Sequence, residues 1–331
     1  MKIFFYALRP YDELAYAEKY KKQFGFDFAH TSEYPNSKNI CCAKGFDAIS
    51  VTPCDLSAPV LEKFAALGVK YILNRSIGYD HVDLKKAAEL GMRVSTASYP
   101  PEGVANYAIM LMMACCRKLK VILKRSEVQD YTLQGKIGLD ISSCTIGVIG
   151  TGKIGTTVLK HLKGLGSRLI CYDLYKNKEA ADCAEYVDLD TLFKESDIIT
   201  IHSNATAENC HLINESALKK MKDGVIIVNT SRGRLIDSGA LIAAIEKGKI
   251  GSAALDVLEN ESGLYYYNRM GDSIANTEMA LLRSFPNVIL TPHTAFYTTQ
   301  AVDNMMLSNF ESLASFAKGE KTYHEVSYKK E

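Results

Sequence analysis

The sequence predicts an α/β protein with two doubly wound parallel sheets, one domain inserted into the other. Three observations carry that prediction. Short apolar runs alternate with helix-period segments along nearly all of the 331 residues, the pattern of repeated strand–helix–strand crossovers. A glycine-rich turn, Gly150-Thr-Gly-Lys-Ile-Gly155, lies in mid-chain rather than near the start. The apolar runs that begin at this turn are numerous enough for a complete sheet, whereas those before it lack a natural end.

Residues 1–100 read as strand 3–8, helix 12–24, strand 47–51, helix 59–67, strand 71–74, helix 84–90 and strand 92–95. The first helix carries Leu14, Ala15, Ala17 and Tyr20 as its apolar positions. Tyr99-Pro-Pro-Glu-Gly103 is a break, because two prolines fit neither a helix interior nor a central strand. The helix expected over 104–118 is apolar on most of its circumference. It should therefore be buried on most sides, between the domains or in a subunit interface. A polar, mixed segment covers 120–143. Strands are expected at 145–149, 168–172, 198–202, 225–229, 253–256 and 288–290, with helices near 153–165, 189–195, 215–221 and 238–247. A last helix, 297–318, is expected to return to the first unit. The expected domains are thus 1–100 plus 297–331, and 101–296.

The glycine turn specifies what the inserted domain binds. An apolar run, Ile146 to Ile149, feeds it, and a helix-period run (Ile154, Val158, Leu159, Leu162, Leu165) leaves it. Gly150 permits the tight turn, Gly152 admits a pyrophosphate close to the backbone, and Gly155 lets helix and strand pack closely. The helix N-terminus offers free N–H groups to phosphates. Asp173 ends the next strand, eighteen residues after Gly155, where a carboxylate binds the adenosine ribose hydroxyls and repels a 2′-phosphate. The expectation is a Rossmann domain that takes NAD rather than NADP.

Composition narrows the remaining classes. With 39 basic and 38 acidic residues, no global field draws nucleic acid or an anionic membrane. The nine cysteines are odd in number, contain no C-x-x-C and sit mostly in apolar runs. Buried free thiols in a reducing cytoplasm are expected, with no disulfide framework and no metal site. The apolar N-terminus is too short for a signal peptide, and the longest apolar run, 107–116, is too short to span a membrane.

In open α/β sheets, ligands bind beyond the carboxyl ends of strands. Arg232 directly follows the 225–229 strand, Glu259 and Glu261 follow 253–256, and His293 ends the last strand. This set suits hydride transfer to a 2-oxo acid. An arginine grips the carboxylate and polarises the ketone. A histidine protonates the forming alkoxide, and a neighbouring glutamate favours the protonated imidazole. His202 and His81 read more readily as structural.

Asn229-Thr-Ser-Arg-Gly233, Leu255-Asp-Val-Leu-Glu-Asn-Glu261 and Thr291-Pro-His-Thr-Ala-Phe-Tyr297 resemble the signatures of the D-2-hydroxyacid dehydrogenases, and the likeness covers essentially the whole chain. Leu73-Asn-Arg-Ser-Ile-Gly-Tyr-Asp-His-Val-Asp83 and Ser98-Tyr-Pro-Pro-Glu-Gly-Val-Ala-Asn-Tyr107 are most similar to the D-lactate dehydrogenase branch, including the vancomycin-resistance type. The resemblance implies a smaller, flavodoxin-like substrate domain around the Rossmann domain. It makes Arg232 the substrate arginine, His293 the acid/base and Glu261 its partner. It places the Ile77 and Gly78 amides on the substrate carboxylate, Tyr99 near the substrate and Phe296 in the pocket wall. It assigns Lys153 and Ile154 to the pyrophosphate and Asp256 to the nicotinamide carboxamide. Ser203, Asn204, Asn209, Thr230 and Ser231 would border the cofactor.

The chain departs from the pattern in three places. His202-Ser-Asn204 lacks the usual proline, Arg234 replaces a small or neutral residue, and Thr52 stands where some relatives have a bulky tyrosine. A smaller residue at 52 would widen the pocket. The resulting reading is an NAD-dependent reductase giving (R)-2-hydroxy acids, first of all pyruvate to D-lactate. It would work as a homodimer whose two domains close on a cleft. The alternatives are a reductase of branched, aromatic or dicarboxylic 2-oxo acids, and a corepressor-like protein that senses NAD(H).

Overall fold

In the computed structural model, which describes residues 1–328, the apolar runs become the inner strands of two sheets. The chain divides into one unit made of Met1–Pro100 with the segment from Tyr297 onward, and a second made of Pro101–Phe296.

The first unit contains β1 (Lys2–Phe5), α1 (Leu14–Phe24), β2 (Asp27–His30), β3 (Ala48–Val51), α2 (Ala58–Ala66), β4 (Tyr71–Asn74), α3 (Leu84–Glu89) and β5 (Arg93–Ser95). The strands lie in the order β5-β4-β3-β1-β2, every pair parallel. This is the flavodoxin-like order. Glu325–Val326 extends the sheet beyond β5 and is antiparallel, a departure from the all-parallel expectation. β2 also goes beyond the sequence reading. It is a partly exposed edge strand, Asp-Phe-Ala-His, without the apolar continuity of an inner strand. α1 ends where Gly25 takes φ 72° and returns its N–H to the Lys21 carbonyl. The final helix, Thr299–Ala317, starts at Thr298, whose hydroxyl accepts the Ala301 N–H. Its Met306, Phe310, Leu313 and Phe316 are buried against Ile3, Phe5 and Tyr20.

The second unit contains α4 (Glu102–Cys116), α5 (Leu119–Glu127), β6 (Thr145–Ile149), α6 (Lys153–Leu162), β7 (Arg168–Tyr172), α7 (Lys178–Ala181) and β8 (Glu185–Tyr186). It continues with α8 (Leu189–Glu195), β9 (Ile198–Ile201), α9 (Glu215–Lys220), β10 (Val225–Asn229), α10 (Ser238–Glu246), β11 (Ile250–Leu255), α11 (Thr277–Ser284) and β12 (Val288–Leu290). Its seven strands run β12-β11-β10-β9-β6-β7-β8, all parallel. The order reverses between β6 and β9, which makes the switch point where open α/β sheets bind ligands. Asp188, Asn214, Asp237 and Asn276 cap α8, α9, α10 and α11 by accepting a first-turn N–H. Short connections therefore end in ready-made helix starts.

Two expectations change and one is filled in. The apolar helix α4 is buried along most of its length, as expected, and its buried face packs into the core of the second unit. Ala105, Ala108, Leu111, Met112, Cys115 and Cys116 pack with Ile146, Val148, Val158 and Leu159, leaving Met110 and Met113 exposed. The segment read as polar contains a helix, α5, with no buried residue, and it exposes Leu119, Leu123, Val128, Tyr131, Leu133 and Ile137. Of the nine free cysteines, Cys115, Cys116, Cys144 and Cys171 are buried, whereas Cys41, Cys42 and Cys210 are exposed. Position in an apolar run marks burial only where that run becomes an inner strand or helix face.

Candidate active site

The phosphate turn is shaped by close approach. A Cβ on Gly155 would lie 1.9 Å from the Gly150 carbonyl oxygen, so α6 can start only on glycine there. Gly150 has φ 92°, and a Cβ on it would meet the His202–Ser203 backbone at 2.7 Å. A Cβ on Gly152 would meet nothing within 4 Å. The turn is tight on its protein side and open where a pyrophosphate belongs. Gly152 caps α6 without a side-chain bond, the kind of helix start that binds anions. At the end of β7, Asp173 Oδ2 accepts the Thr151 N–H at 2.6 Å and Oδ1 the Tyr175 N–H at 3.0 Å. The sequence reading passed over Thr151, which looks like filler between two glycines.

Ser203 follows β9 and Thr230 follows β10, and each has a buried hydroxyl oxygen without a hydrogen-bond partner. Orphaned hydroxyls at the switch-point edge, an open Gly152 and the Asp173 carboxylate together form a donor and acceptor set that fits NAD. Asn209 donates to the Asn204 carbonyl at 2.7 Å and accepts the Thr206 N–H at 2.7 Å, bonds that shape the loop after β9. Arg234, the unusual residue, donates to the Thr206 carbonyl at 2.8 Å and ties down this proline-free loop. His202 is structural. Its Nε2 lies 2.9 Å from Thr200 Oγ1, and desolvation pushes the imidazole down to about 3.

Arg232 sits in a turn built on buried Asn229. The Asn229 amide donates to the Arg232 carbonyl at 2.9 Å, and its oxygen accepts from the Ser231 N–H and hydroxyl at 3.0 and 2.8 Å. Gly233 lets this turn lie against the next strand end, since a Cβ there would fall 2.0 Å from the Leu258 carbonyl carbon. The two carboxylates after β11 separate cleanly. Glu259 accepts from the Ser238 N–H at 3.0 Å and bonds His211 Nε2 at 2.7 Å, a contact that raises the His211 pKa. Glu261 Oε2 accepts the Leu258 N–H at 2.8 Å, and its Oε1 lies 2.6 Å from His293 Nδ1. An ionised carboxylate only accepts, so Nδ1 carries the proton and Nε2 is left for chemistry.

His293 is held in an unusual backbone state, φ 53°. Its N–H donates to the Asp256 carbonyl at 2.8 Å. The Asp256 side chain, fully buried, accepts from Thr291 Oγ1 at 2.6 Å, Thr294 N at 2.9 Å and Ala295 N at 2.8 Å. Asp256 thus has a task that the sequence did not reveal, which is to anchor the turn that carries His293. Phe296 and Tyr266 flank the imidazole with ring centroids 6.4 and 5.9 Å away, and the Tyr266 hydroxyl donates to the His293 carbonyl at 3.0 Å. Nothing in a run of three tyrosines says which one reaches the His293 carbonyl: Tyr265 is buried, and the exposed Tyr266 makes the bond.

In the first unit, Ile77 is exposed and Gly78 accepts the Ser76 hydroxyl at 2.6 Å. The preceding Arg75 is buried and bonds Glu13 at 2.9 Å, Ser50 at 2.8 Å and the Tyr6 and Ala7 carbonyls. This network anchors the start of the Ile77–Gly78 loop. His81 Nε2 lies 3.0 Å from Asn74 Oδ1, as suits a structural histidine. Tyr99 is partly exposed, and Thr52 is buried at the end of β3. Among the described residues, no group of three potential ligands could hold a metal ion.

The depressed His202 sets a pH dependence. The folded form stays neutral down to about 3, while the unfolded imidazole takes a proton near 6.5. His202 therefore destabilises the fold progressively as pH falls from about 6.5 toward 3. His202→Asn should flatten the stability profile in that window relative to the parent, measured by urea unfolding at a series of pH values.

Residues 109–295 match the D-isomer specific 2-hydroxyacid dehydrogenase family, NAD binding domain. The chain is 39% identical over 321 residues to the aromatic 2-oxoacid reductase of Clostridium sporogenes, covering 96% of each protein. It is 40% identical over 329 residues to the D-lactate dehydrogenase of Escherichia coli, covering 98% of this chain and all of the relative. The solved D-lactate dehydrogenase of Treponema pallidum superposes with a TM-score of 0.88 at 31% identity, over 99% of this chain and 100% of that one. This chain belongs to the D-isomer specific 2-hydroxyacid dehydrogenase family and is an NAD-dependent oxidoreductase.

Proposed function

We propose that the chain reduces a 2-oxo acid to the (R)-2-hydroxy acid with NADH, pyruvate to D-lactate being the first reading. The observation that carries it is the Glu261–His293 pair, 2.6 Å apart, on the strand-end edge that also presents Arg232. Arg232 pairs with the substrate carboxylate and polarises the ketone. The Ile77 and Gly78 amides are assigned to the carboxylate, and Tyr99 and Phe296 to the acyl group. Reduced NAD supplies the hydride when bound. His293 delivers the proton from Nε2 to the alkoxide oxygen while Glu261 stabilises the imidazolium through Nδ1. Asp256, beyond holding the His293 turn, is assigned to the nicotinamide carboxamide. Lys153, Ile154, Ser203, Asn204, Asn209, Thr230 and Ser231 are assigned to the cofactor.

A second reading, a preference for aromatic 2-oxo acids, is favoured by the small Thr52 and by the likeness to an aromatic 2-oxoacid reductase. A homodimer is also proposed, and the apolar side chains exposed along α5 and residues 128–139 support it. They make a contiguous stretch of a kind that monomers rarely leave in water. The free cysteines fit a reducing cytoplasm. Among the described residues, no helix is long and apolar enough to cross a membrane.

Rates of NADH oxidation with pyruvate, 4-methyl-2-oxopentanoate, phenylpyruvate and 2-oxoglutarate, with the handedness of each product, test the reaction and choose between the substrates. No turnover of any of the four, with NADH still bound, would point instead to a sensing protein. His293→Ala should lower kcat by about a hundredfold or more while NADH binding persists. Arg232→Lys should lower kcat/KM strongly, because an ammonium cannot grip a carboxylate with two parallel bonds. Steady-state kinetics beside fluorescence titration of NADH checks both. Sedimentation equilibrium should give a mass twice that of the chain.

A further inference from the structure

One group of side chains joins the phosphate turn to the ribose carboxylate. Thr151, between Gly150 and Gly152, is 2% exposed, and all of its polar atoms are bonded. Its N–H donates to Asp173 Oδ2 at 2.6 Å. Its carbonyl accepts from Thr156 Oγ1 at 2.8 Å and from Asn177 Nδ2 at 2.5 Å. Its hydroxyl lies 3.2 Å from the same Asp173 Oδ2 and 2.7 Å from the Tyr186 hydroxyl. The Tyr186 oxygen in turn accepts the Asn177 N–H at 3.1 Å.

Counting protons gives this chain a direction. An ionised carboxylate only accepts, so the Thr151 hydroxyl donates to Asp173. Its one proton is then used, and Tyr186 must donate to Thr151. The Tyr186 oxygen is left to accept from Asn177, which is the geometry observed. Asp173 Oδ2 thus receives two donors and is locked in place. Oδ1 takes the Tyr175 N–H and keeps a lone pair for a ribose hydroxyl. Without the hydroxyl relay, Asp173 would be held on that side by a single amide, and its carboxylate would turn more freely.

We infer that Tyr186 and Thr151 are positioning residues for cofactor selectivity: their hydroxyl relay aims Asp173 at the adenosine ribose. This rests on the reading of Asp173 as the group that discriminates NADH from NADPH. Tyr186 lies on the short edge strand β8, outside the glycine motif and outside the strand that carries Asp173. A ribose that bears a 2′-phosphate gains nothing from the lock. Loss of the relay therefore weakens NADH and leaves NADPH nearly unchanged.

The test uses the full-length protein with Tyr186→Phe, Thr151→Val, Thr151→Ser and Asp173→Ala. Dissociation constants for NADH and NADPH come from fluorescence titration, and kcat and KM for both come from a saturating 2-oxo acid. T151V should weaken NADH about tenfold, as expected for a lost hydrogen bond to a charged group, and Y186F, which removes a bond between two neutral hydroxyls, about fivefold. NADPH binding should stay within about twofold, and T151S should bind like the parent. Thermal unfolding of each variant reports folding, and T151V, which keeps the side-chain shape, tests the relay if Y186F is unstable. Equal weakening of both cofactors, an unchanged NADH to NADPH ratio, or T151S as damaging as T151V would overturn the relay. If the parent does not discriminate, or if D173A leaves the ratio unchanged, the Asp173 reading falls, and the relay falls with it. Discrimination that survives in Y186F and T151V overturns the relay alone.

Discussion

The strand-end edge of the second unit that carries His293 depends on one buried carboxylate. Asp256 directly follows β11 with no exposure to solvent and receives five donors when its own carbonyl is counted with its side chain: His293 N, Thr291 Oγ1, Thr294 N, Thr294 Oγ1 and Ala295 N. An uncompensated charge in such a place would be costly, so the donors are obligatory rather than ornamental. They wrap the chain after β12 tightly enough to hold His293 at φ 53°, a conformation that few side-chain-bearing residues adopt unaided. The strain sits on the residue whose ring must point one way, which is where strained backbone tends to serve function.

Around that anchor, the strand ends are brought together by missing side chains. Gly233 exists so that the Arg232 turn can touch the Leu258–Glu259 backbone, and Gly155 exists so that α6 can start against Gly150. Each of these close approaches excludes every residue with a Cβ. Polar side chains then settle the direction of each loop. Asn229 builds the Arg232 turn, Thr151 the phosphate turn and Arg234 the loop after β9. The site is therefore made rigid by backbone contact and buried hydrogen bonds, the conditions under which acid/base and anion-binding groups keep their aim.

Most of the fold was legible because buried parallel strands are continuous apolar runs and the crossovers between them have helical periodicity. What escaped was what that signal cannot reach. The edge strand β2 is half exposed, and the two-residue strands β8 and 325–326 are too short to show a period. α5 buries no side chain and so lacks an apolar face pointed at a core. α4 was recognised as buried, but its apolar circumference could not say against what. Packing against α6, β10 and β11 accounts for its buried face.

By itself the sequence determined the residue types on which the proposed chemistry rests: the glycine turn, Asp173, Arg232, Glu261 and His293. Each follows a strand by a short, fixed step, and a step of a few residues leaves little freedom in where the side chain emerges. Tertiary structure decided the partners. It separated Glu261, on His293, from Glu259, on His211 and Ser238, although the two lie two residues apart and carry the same charge. It turned Asp256 inward to anchor a loop, brought Tyr266 to the His293 carbonyl and tied Tyr186 to Thr151. Those pairings span tens of residues. Hydrogen-bond direction and burial, which choose among equivalent polar side chains, exist only once the chain has packed.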